Sequence, residues 1–288
     1  MEKSINAAEI ARKHFGQNFL KDRSYIHRII EAIPEDNFPI VEIGPGLGDL
    51  TSELIQVRNV TAFEVDKRLC EHLHDRYAFE INSNVLKLIC GDVLEHWVQR
   101  SVLDTPYHVV ANLPYYIATH LVLKALHDPM CRSILVMVQK EVAVKFAAQP
   151  GERNFSAPSV LASTAGEAKL CFEVPPEAFV PPPKVTSAVL SIRKKDTLED
   201  PVFERFLKVA FAQPRKKLIK NLERVLSKEA IDSAFDALGI KNLLRPHEAT
   251  TTIYHHLYTI LKKDFINGQK HSSPNRRKYR DSKPASPT

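Results

Sequence analysis

Glycine is scarce in this chain, with nine in 288 residues, under half the roughly 7% of ordinary usage. Collagen-like and Gly-rich linker architectures are excluded. Cysteine is scarcer still. Cys70, Cys90, Cys131 and Cys171 stand far apart with no C-x-x-C pair, which speaks against a zinc site and against a disulfide framework. No apolar run approaches the ~18–20 residues of a membrane span; Ile134–Val138 is typical, so no membrane partner is expected. The N-terminal stretch MEKSINAAEIARKHF is charged and lacks the apolar segment of a secretion signal, and a cytoplasmic location is the expectation. Twelve histidines are present. None has a carboxylate at a spacing that suggests catalysis, and no metal site or Ser-His-Asp set for hydrolysis is expected.

The charge is unevenly placed. Residues 1–192 carry a net −4, residues 193–224 a net +5, residues 225–266 none, and residues 267–288 a net +5. That layout suits a chemistry domain followed by a segment that holds a polyanion; a solvated basic face with a solubilising tail fits the charge alone equally well. Through residue 192, short apolar runs at 40–43, 60–65, 85–89, 108–111, 134–138, 169–174 and 188–192 alternate with amphipathic stretches at 47–57, 66–77 and 118–127. Several runs are continuous rather than alternating, as in strands buried on both faces of a parallel sheet. The pattern predicts a doubly wound α/β domain over residues 1–195. Beyond it, helical spacing at 201–212, 215–226, 228–238 and 248–263, punctuated by Gly239 and Pro246, predicts a small all-helical domain over residues 196–266. Residues 267–288 are rich in Lys, Arg, Ser and Pro and are expected to be a disordered basic tail.

Three of the nine glycines fall within five positions, Gly44, Gly46 and Gly48. They follow a predicted strand and open a predicted helix, where glycine lets backbone turn tightly and approach a ligand. Dehydrogenases and methyltransferases share such a loop. Glu64, twenty residues beyond Gly44, is placed to accept ribose hydroxyls. Asp66 is the weaker candidate, because it stands where a helix N-cap is wanted. Asp92, after the third strand, is placed to accept an adenine amine. Two acids at the rim would repel the phosphates of a dinucleotide, which tilts the choice toward S-adenosylmethionine over a nicotinamide cofactor.

At the end of the fourth predicted strand stands Asn112-Leu113-Pro114-Tyr115. The lone pair of an exocyclic adenine amine is conjugated into the ring, and two acceptors gripping its hydrogens would return electron density to nitrogen. The Asn112 side-chain oxygen is one acceptor. The Leu113 carbonyl is the other, since Pro114 holds residue 113 extended and offers no competing donor. Tyr115 supplies a face for stacking, worth roughly 1–3 kcal/mol per base. In-line displacement on an activated methyl needs no metal and no covalent nucleophile, only positioning and electrostatics.

From Lys13 to about Lys263 the chain resembles the ribosomal RNA adenine dimethyltransferases of the KsgA/RsmA type, with motifs in order. The resemblance implies a Rossmann-like class I methyltransferase domain with a small helical C-terminal domain, and S-adenosylmethionine as cofactor. It further implies dimethylation of the N6 amines of two adjacent adenosines near the 3′ end of 16S rRNA, in immature 30S subunits. His14-Phe15-Gly16-Gln17-Asn18-Phe19-Leu20 is similar to the family's N-terminal motif and implies that Gln17, Asn18 and Leu20 border the cofactor. Glu42-Ile43-Gly44-Pro45-Gly46 is similar to the methionine-side loop, with Glu64 for the ribose, Asp92 for the adenine amine, and Asn112 to Tyr115 for the target base. In Ala178-Phe179-Val180-Pro181-Pro182-Pro183-Lys184, Phe179 is implied to close the other face of the base; from the residues alone it is equally an ordinary core aromatic. Phe211 to Leu222 resembles F-x-x-R-R-K-x-x-x-N-L, with Pro214 a departure. Arg215, Lys216, Lys217 and Lys220 then begin a helix whose positive face lies along RNA phosphates. Arg276, Arg277, Lys278 and Arg280 lie outside the resemblance. A resistance-type 23S rRNA methyltransferase and a binding factor of ribosome assembly are the alternatives, and nothing in the sequence demands more than a monomer.

Overall fold

The computed structural model describes residues 17–97 and 100–271. Its strands in chain order are β1 (Phe19–Leu20), β2 (Ile40–Ile43), β3 (Val60–Glu64), β4 (Leu86–Cys90), β5 (Tyr107–Asn112), β6 (Cys131–Gln139), β7 (Gly166–Val174), β8 (Phe179–Val180) and β9 (Ser187–Lys194). The helices are α1 (Arg23–Glu31), α2 (Thr51–Val57), α3 (Lys67–Arg76), α4 (Ala78–Asn82), α5 (Val93–His96), α6 (Ala118–His127), α7 (Lys140–Ala147), α8 (Ala157–Ala165), α9 (Pro201–Ala210), α10 (Leu218–Leu222), α11 (Lys228–Ala237) and α12 (Thr251–His271). Of the expected disordered tail, residues 267–271 instead continue helix α12, and residues 272–288, like His14 to Gly16 of the first motif, lie outside the described residues.

Seven strands form one sheet in the order β4-β3-β2-β5-β6-β9-β7. The first five are mutually parallel, and β9 runs antiparallel to both β6 and β7. The pleat sends successive side chains to opposite faces, and the cores follow it. Val109 and Ala111 of β5, with Ile134, Val136 and Val138 of β6, join one apolar cluster. Val110, Leu135 and Met137, their neighbours in sequence, join the other. Because both faces are covered, β2 and β3 are buried at every residue, which is why they read as continuous apolar runs. The short pair β1–β8 forms a separate antiparallel ribbon, Phe19 opposite Val180 and Leu20 opposite Phe179.

The helical segment does not make its own core. Phe203, Phe206, Ile231, Phe235, Tyr254 and Phe265 belong to the same cluster as one face of the sheet, so the expected boundary near residue 195 is a change of element type inside a continuous interior. Polar contacts also cross it. His127 of α6 pairs with Glu204 of α9, His255 of α12 meets Thr164 of α8 at 2.8 Å, and the Gly151 amide donates to the His247 carbonyl at 2.7 Å. Asp200 caps α9 at the Val202 amide, 2.9 Å away, and also takes the Tyr258 hydroxyl and the Lys262 ammonium of α12.

Two expectations are corrected. The helix expected over 215–226 is only Leu218–Leu222, and Arg215 to Lys217 lie in the turn that precedes it. Cys70 of α3 and Cys90 at the end of β4 are joined by a disulfide, with Cα atoms 5.9 Å apart, where none was expected. Their separation of 20 residues carries no signal. Only the packing of α3 against the sheet edge brings them together, and the result is one crosslink, not a framework.

Candidate functional site

The strand order reverses at β2. The chain steps outward to β3 and β4, then crosses back to place β5 on the other side of β2. In open α/β sheets, ligands sit in the crevice beyond the strand ends at such a point. A cleft of about 90 Å³ opens there.

The loop after β2 forms one wall. Gly44, Gly46 and Gly48 have φ of +71°, +63° and +85°, a region costly for residues with a Cβ. Space excludes a side chain as well. A Cβ on Gly46 would lie 3.0 Å from the Phe19 ring, and one on Gly48 would lie 2.7 Å from the Tyr77 ring. The Tyr77 hydroxyl donates to the Gly48 carbonyl at 2.6 Å and the Arg76 guanidinium to the Leu47 carbonyl at 2.6 Å. Helix α3 thus clamps the loop from outside.

Two buried carboxylates stand behind it. Glu64, the last residue of β3, accepts from the Gly46 amide at 3.0 Å and the Asp66 amide at 2.9 Å. Burial raises its pKa against the pull of those two donors. Glu42 in β2 is 1% exposed and accepts from the Thr51 hydroxyl at 2.7 Å. Burial pushes it up to about 8, with the neighbouring Glu64 charge adding to the rise, so Glu42 is mostly neutral at pH 7. Asp66 caps α3 through the Arg68 amide at 3.1 Å. Burial works against its ionisation, yet bonds from the Arg68 and Gln17 side chains keep it below the usual carboxylate range. Its oxygens are therefore engaged already, as its N-cap position predicted.

The opposite wall is the end of β5. The Asn112 amide nitrogen donates to the Asn18 carbonyl at 3.0 Å, tying the segment before β1 across the cleft. Its Oδ1 and the Leu113 carbonyl have no hydrogen-bond partner among the described residues. Leu113 is anchored by its own amide, which donates to the Met137 carbonyl at 3.0 Å. The Tyr115 hydroxyl lies 2.6 Å from Ser187 Oγ at the start of β9, and burial raises the phenol pKa.

Gln17, Asn18, Leu20, Gly44, Gly46, Glu64 and residues 112–115 all border this one cleft. Asp92 does not; its carboxylate caps α5 at the Leu94 amide, 2.9 Å away. Phe179 does not either. It is 2% exposed, opposite Leu20 in the β1–β8 ribbon, and packed in the core with Ile26 and Val189, the ordinary core position that the residues alone allowed. The four basic residues sit apart from the cleft, exposed on and before α10, with Lys220 paired to Glu223 at 2.7 Å. Sequence reasoning gave no separate role to Glu42, to Phe19 or to Val65, which also border the cleft. An acid inside the apolar strand Ile40–Ile43 was the signal available for Glu42.

The donor set suits an amphiphilic, zwitterionic nucleoside. A buried carboxylate, a glycine turn with backbone groups at close range, and the apolar surfaces of Leu20 and Leu69 meet within one cleft. Among the described residues no group of three or more His, Cys, Asp or Glu could hold a metal ion, and no helix is long and apolar enough to cross a membrane. Fold and site together define a Rossmann-like methyltransferase that uses S-adenosylmethionine.

Comparison with known proteins narrows the class. The pattern of the ribosomal RNA adenine dimethylases matches residues 8–263. The ribosomal RNA small subunit methyltransferase A of Sulfurimonas denitrificans is 49% identical over 88% of this chain and 94% of its own. That of Helicobacter hepaticus is 47% identical over 90% and 94%. Among solved structures, the 23S rRNA methyltransferase ErmE superposes with a TM-score of 0.66 at 26% identity, covering 85% of this chain and all of its own. A dimethyladenosine transferase from Plasmodium falciparum shares the fold, with a TM-score of 0.71 at 22% identity, covering 85% and 98%. The chain belongs to the ribosomal RNA adenine dimethylase family.

Proposed function

We propose that this protein dimethylates the N6 amines of two adjacent adenosines near the 3′ end of 16S rRNA in immature small subunits, acting as a cytoplasmic monomer. One observation carries the reading. Asn112 Oδ1 and the Leu113 carbonyl, two acceptors without partners among the described residues, share a cleft with the glycine loop and Glu64. An exocyclic amine carries two hydrogens, and a pair of acceptors holds it by both while directing its lone pair. Tyr115, fixed by Ser187, offers the ring on which the base stacks. Glu64 holds the ribose hydroxyls, and Gly44 and Gly46 admit the methionine end, with Gln17, Asn18 and Leu20 covering it. When bound there, S-adenosylmethionine supplies the activated methyl. Asn112 and Leu113 polarise and aim the amine. Phe179 would face the base only after leaving its place in the core. Arg215, Lys216, Lys217 and Lys220 hold phosphates at a distance from the chemistry, and Asp92, which lies outside the cleft lining, would meet the adenine amine only where the cofactor reaches beyond that lining.

The test uses labelled S-adenosylmethionine with unmethylated small subunits and, separately, unmethylated large subunits. Label recovered as N6-dimethyladenosine in 16S rRNA is the expected result. Label confined to 23S rRNA would assign the protein to the activity named for ErmE, with which it shares its fold.

A further inference from the structure

We propose that a second cavity beside the catalytic cleft is a binding subsite for the nucleotide next to the target adenosine. The inference rests on reading the cleft as an RNA adenine methyltransferase site. The cavity has a volume of about 530 Å³, against about 90 Å³ for the cleft, and is bordered by Gln139, Lys140, Glu141, Lys145, Asn154 and Thr186. It opens one strand further along the same carboxyl edge of the sheet. Gln139, the last residue of β6, lies opposite Ser187 in the ladder, and the Lys140 amide donates to the Thr186 carbonyl at 3.0 Å. Ser187 is the residue that holds the Tyr115 hydroxyl. The ring proposed to stack on the target base is therefore held by the wall between the two cavities. A strand with one base against Tyr115 has its neighbouring nucleotide at this wall.

The lining chemistry suits a single-stranded nucleotide. The side chains of Gln139, Lys145, Asn154 and Thr186 make no hydrogen bond or ion pair among the described residues. They offer a cation for a phosphate, and amides and a hydroxyl for a base edge or a 2′-hydroxyl. Lys184, exposed beside Val185 of the lining, adds a second unpaired cation. Two acids share the region. Glu173 neutralises Lys140 at 2.7 Å, and Glu141 is exposed, where a carboxylate accepts from a base amine or a 2′-hydroxyl and repels a phosphate. Lys145 is therefore the phosphate contact. The platform is rigid, since Ala143 and Phe146 of α7 are in the core and the Ser159 hydroxyl holds the Lys145 carbonyl at 2.5 Å. The cavity also leads somewhere. Phe155, next to Asn154, meets Phe211 with ring centroids 6.2 Å apart, and Phe211 opens the turn that carries Arg215, Lys216 and Lys217. The cavity floor and the basic turn are thus joined through the core beneath them.

The test is steady-state methylation of unmethylated small subunits by the full-length Lys145→Ala/Asn154→Ala protein, alongside calorimetric titration with S-adenosylmethionine. The expected result is a KM for subunits raised about tenfold, as for loss of one phosphate and one base-edge contact, with cofactor affinity unchanged and Lys145→Arg/Asn154 restoring most of the loss. A wild-type KM in the double variant overturns the subsite. Wild-type protein that methylates no small subunit would instead overturn the reading of the catalytic cleft. If the double variant fails to fold, Lys145→Glu at this exposed position carries the same comparison.

Discussion

Two asparagines, one in each half of the molecule, hold backbone by side-chain amides and do so to different ends. Asn221 of α10 is 1% exposed and uses both amide atoms on one residue. The Gln213 amide donates to its Oδ1 at 2.9 Å, and its Nδ2 donates to the Gln213 carbonyl at 3.1 Å. Asn112 uses only its nitrogen, on Asn18, and keeps its oxygen without a partner among the described residues. The fully paired amide shapes a loop. The half-paired amide is left with an acceptor for something else. The contrast separates a scaffold residue from a site residue more sharply than burial or position does.

The comparison breaks most visibly at Asn112. Replacing it with alanine removes the acceptor proposed to hold the reacting amine, and losses of that kind run to about 10²–10³ in kcat. Single-turnover methylation of small subunits checks it, and a loss under tenfold would return Asn112 to the scaffold class. At Asn221 the same replacement leaves the Gln213 amide unpaired, while the Gln213 carbonyl keeps the Lys216 amide at 3.0 Å, a cost of roughly 1–3 kcal/mol in unfolding free energy. Urea denaturation reads that cost, while titration of S-adenosylmethionine is expected to be unchanged because the cleft is remote from α10.

The smallest effect concerns what it takes to build the cleft inside the protein. Burial raises Glu42 from 4.5 to about 8, so the folded state holds a proton that the unfolded chain releases. The associated stability is complete below pH 4.5 and disappears as pH climbs through about 8. Glu42→Gln is expected to flatten the decline of unfolding free energy between those limits, measured by urea denaturation across pH. A residual slope should remain from Glu64, which shifts in the same direction. An unchanged pH profile would mean that Glu42 is ionised in the folded protein.

Much of the catalytic end was readable because its residues act through local constraints. Gly44, Gly46 and Gly48 announce positive φ in a chain that uses glycine sparingly, and Pro114 announces an extended Leu113. The five inner sheet strands were readable because a strand buried on both faces has nowhere for polar side chains, whereas the edge strands β4 and β7 are only partly buried. Helix α8 escaped for the related reason that a helix enclosed on most sides, with Val160, Leu161, Ala162 and Ala165 all buried, shows no polar stripe to set its period. The β1–β8 ribbon escaped because two residues make no pattern. Arg215 to Lys217 were read as helix since they continue an apolar spacing that in fact begins only at Leu218. No local signal says that Asn221 reaches back to Gln213 and holds those three residues in a turn.

Composition, glycine placement and the run from Asn112 to Tyr115 were enough to settle that a nucleoside-type cleft lies at the end of a parallel sheet, because backbone geometry and donor chemistry travel with residue type. Whether a given carboxylate or aromatic faces that cleft depends on contacts between residues far apart in the chain. Glu64 faces it and Asp92 caps a helix. Tyr115 is held by a serine 72 residues away, and Phe179 is packed into the core. Those outcomes follow from how β3, β5, β8 and β9 pack, which no short stretch of the chain encodes by itself.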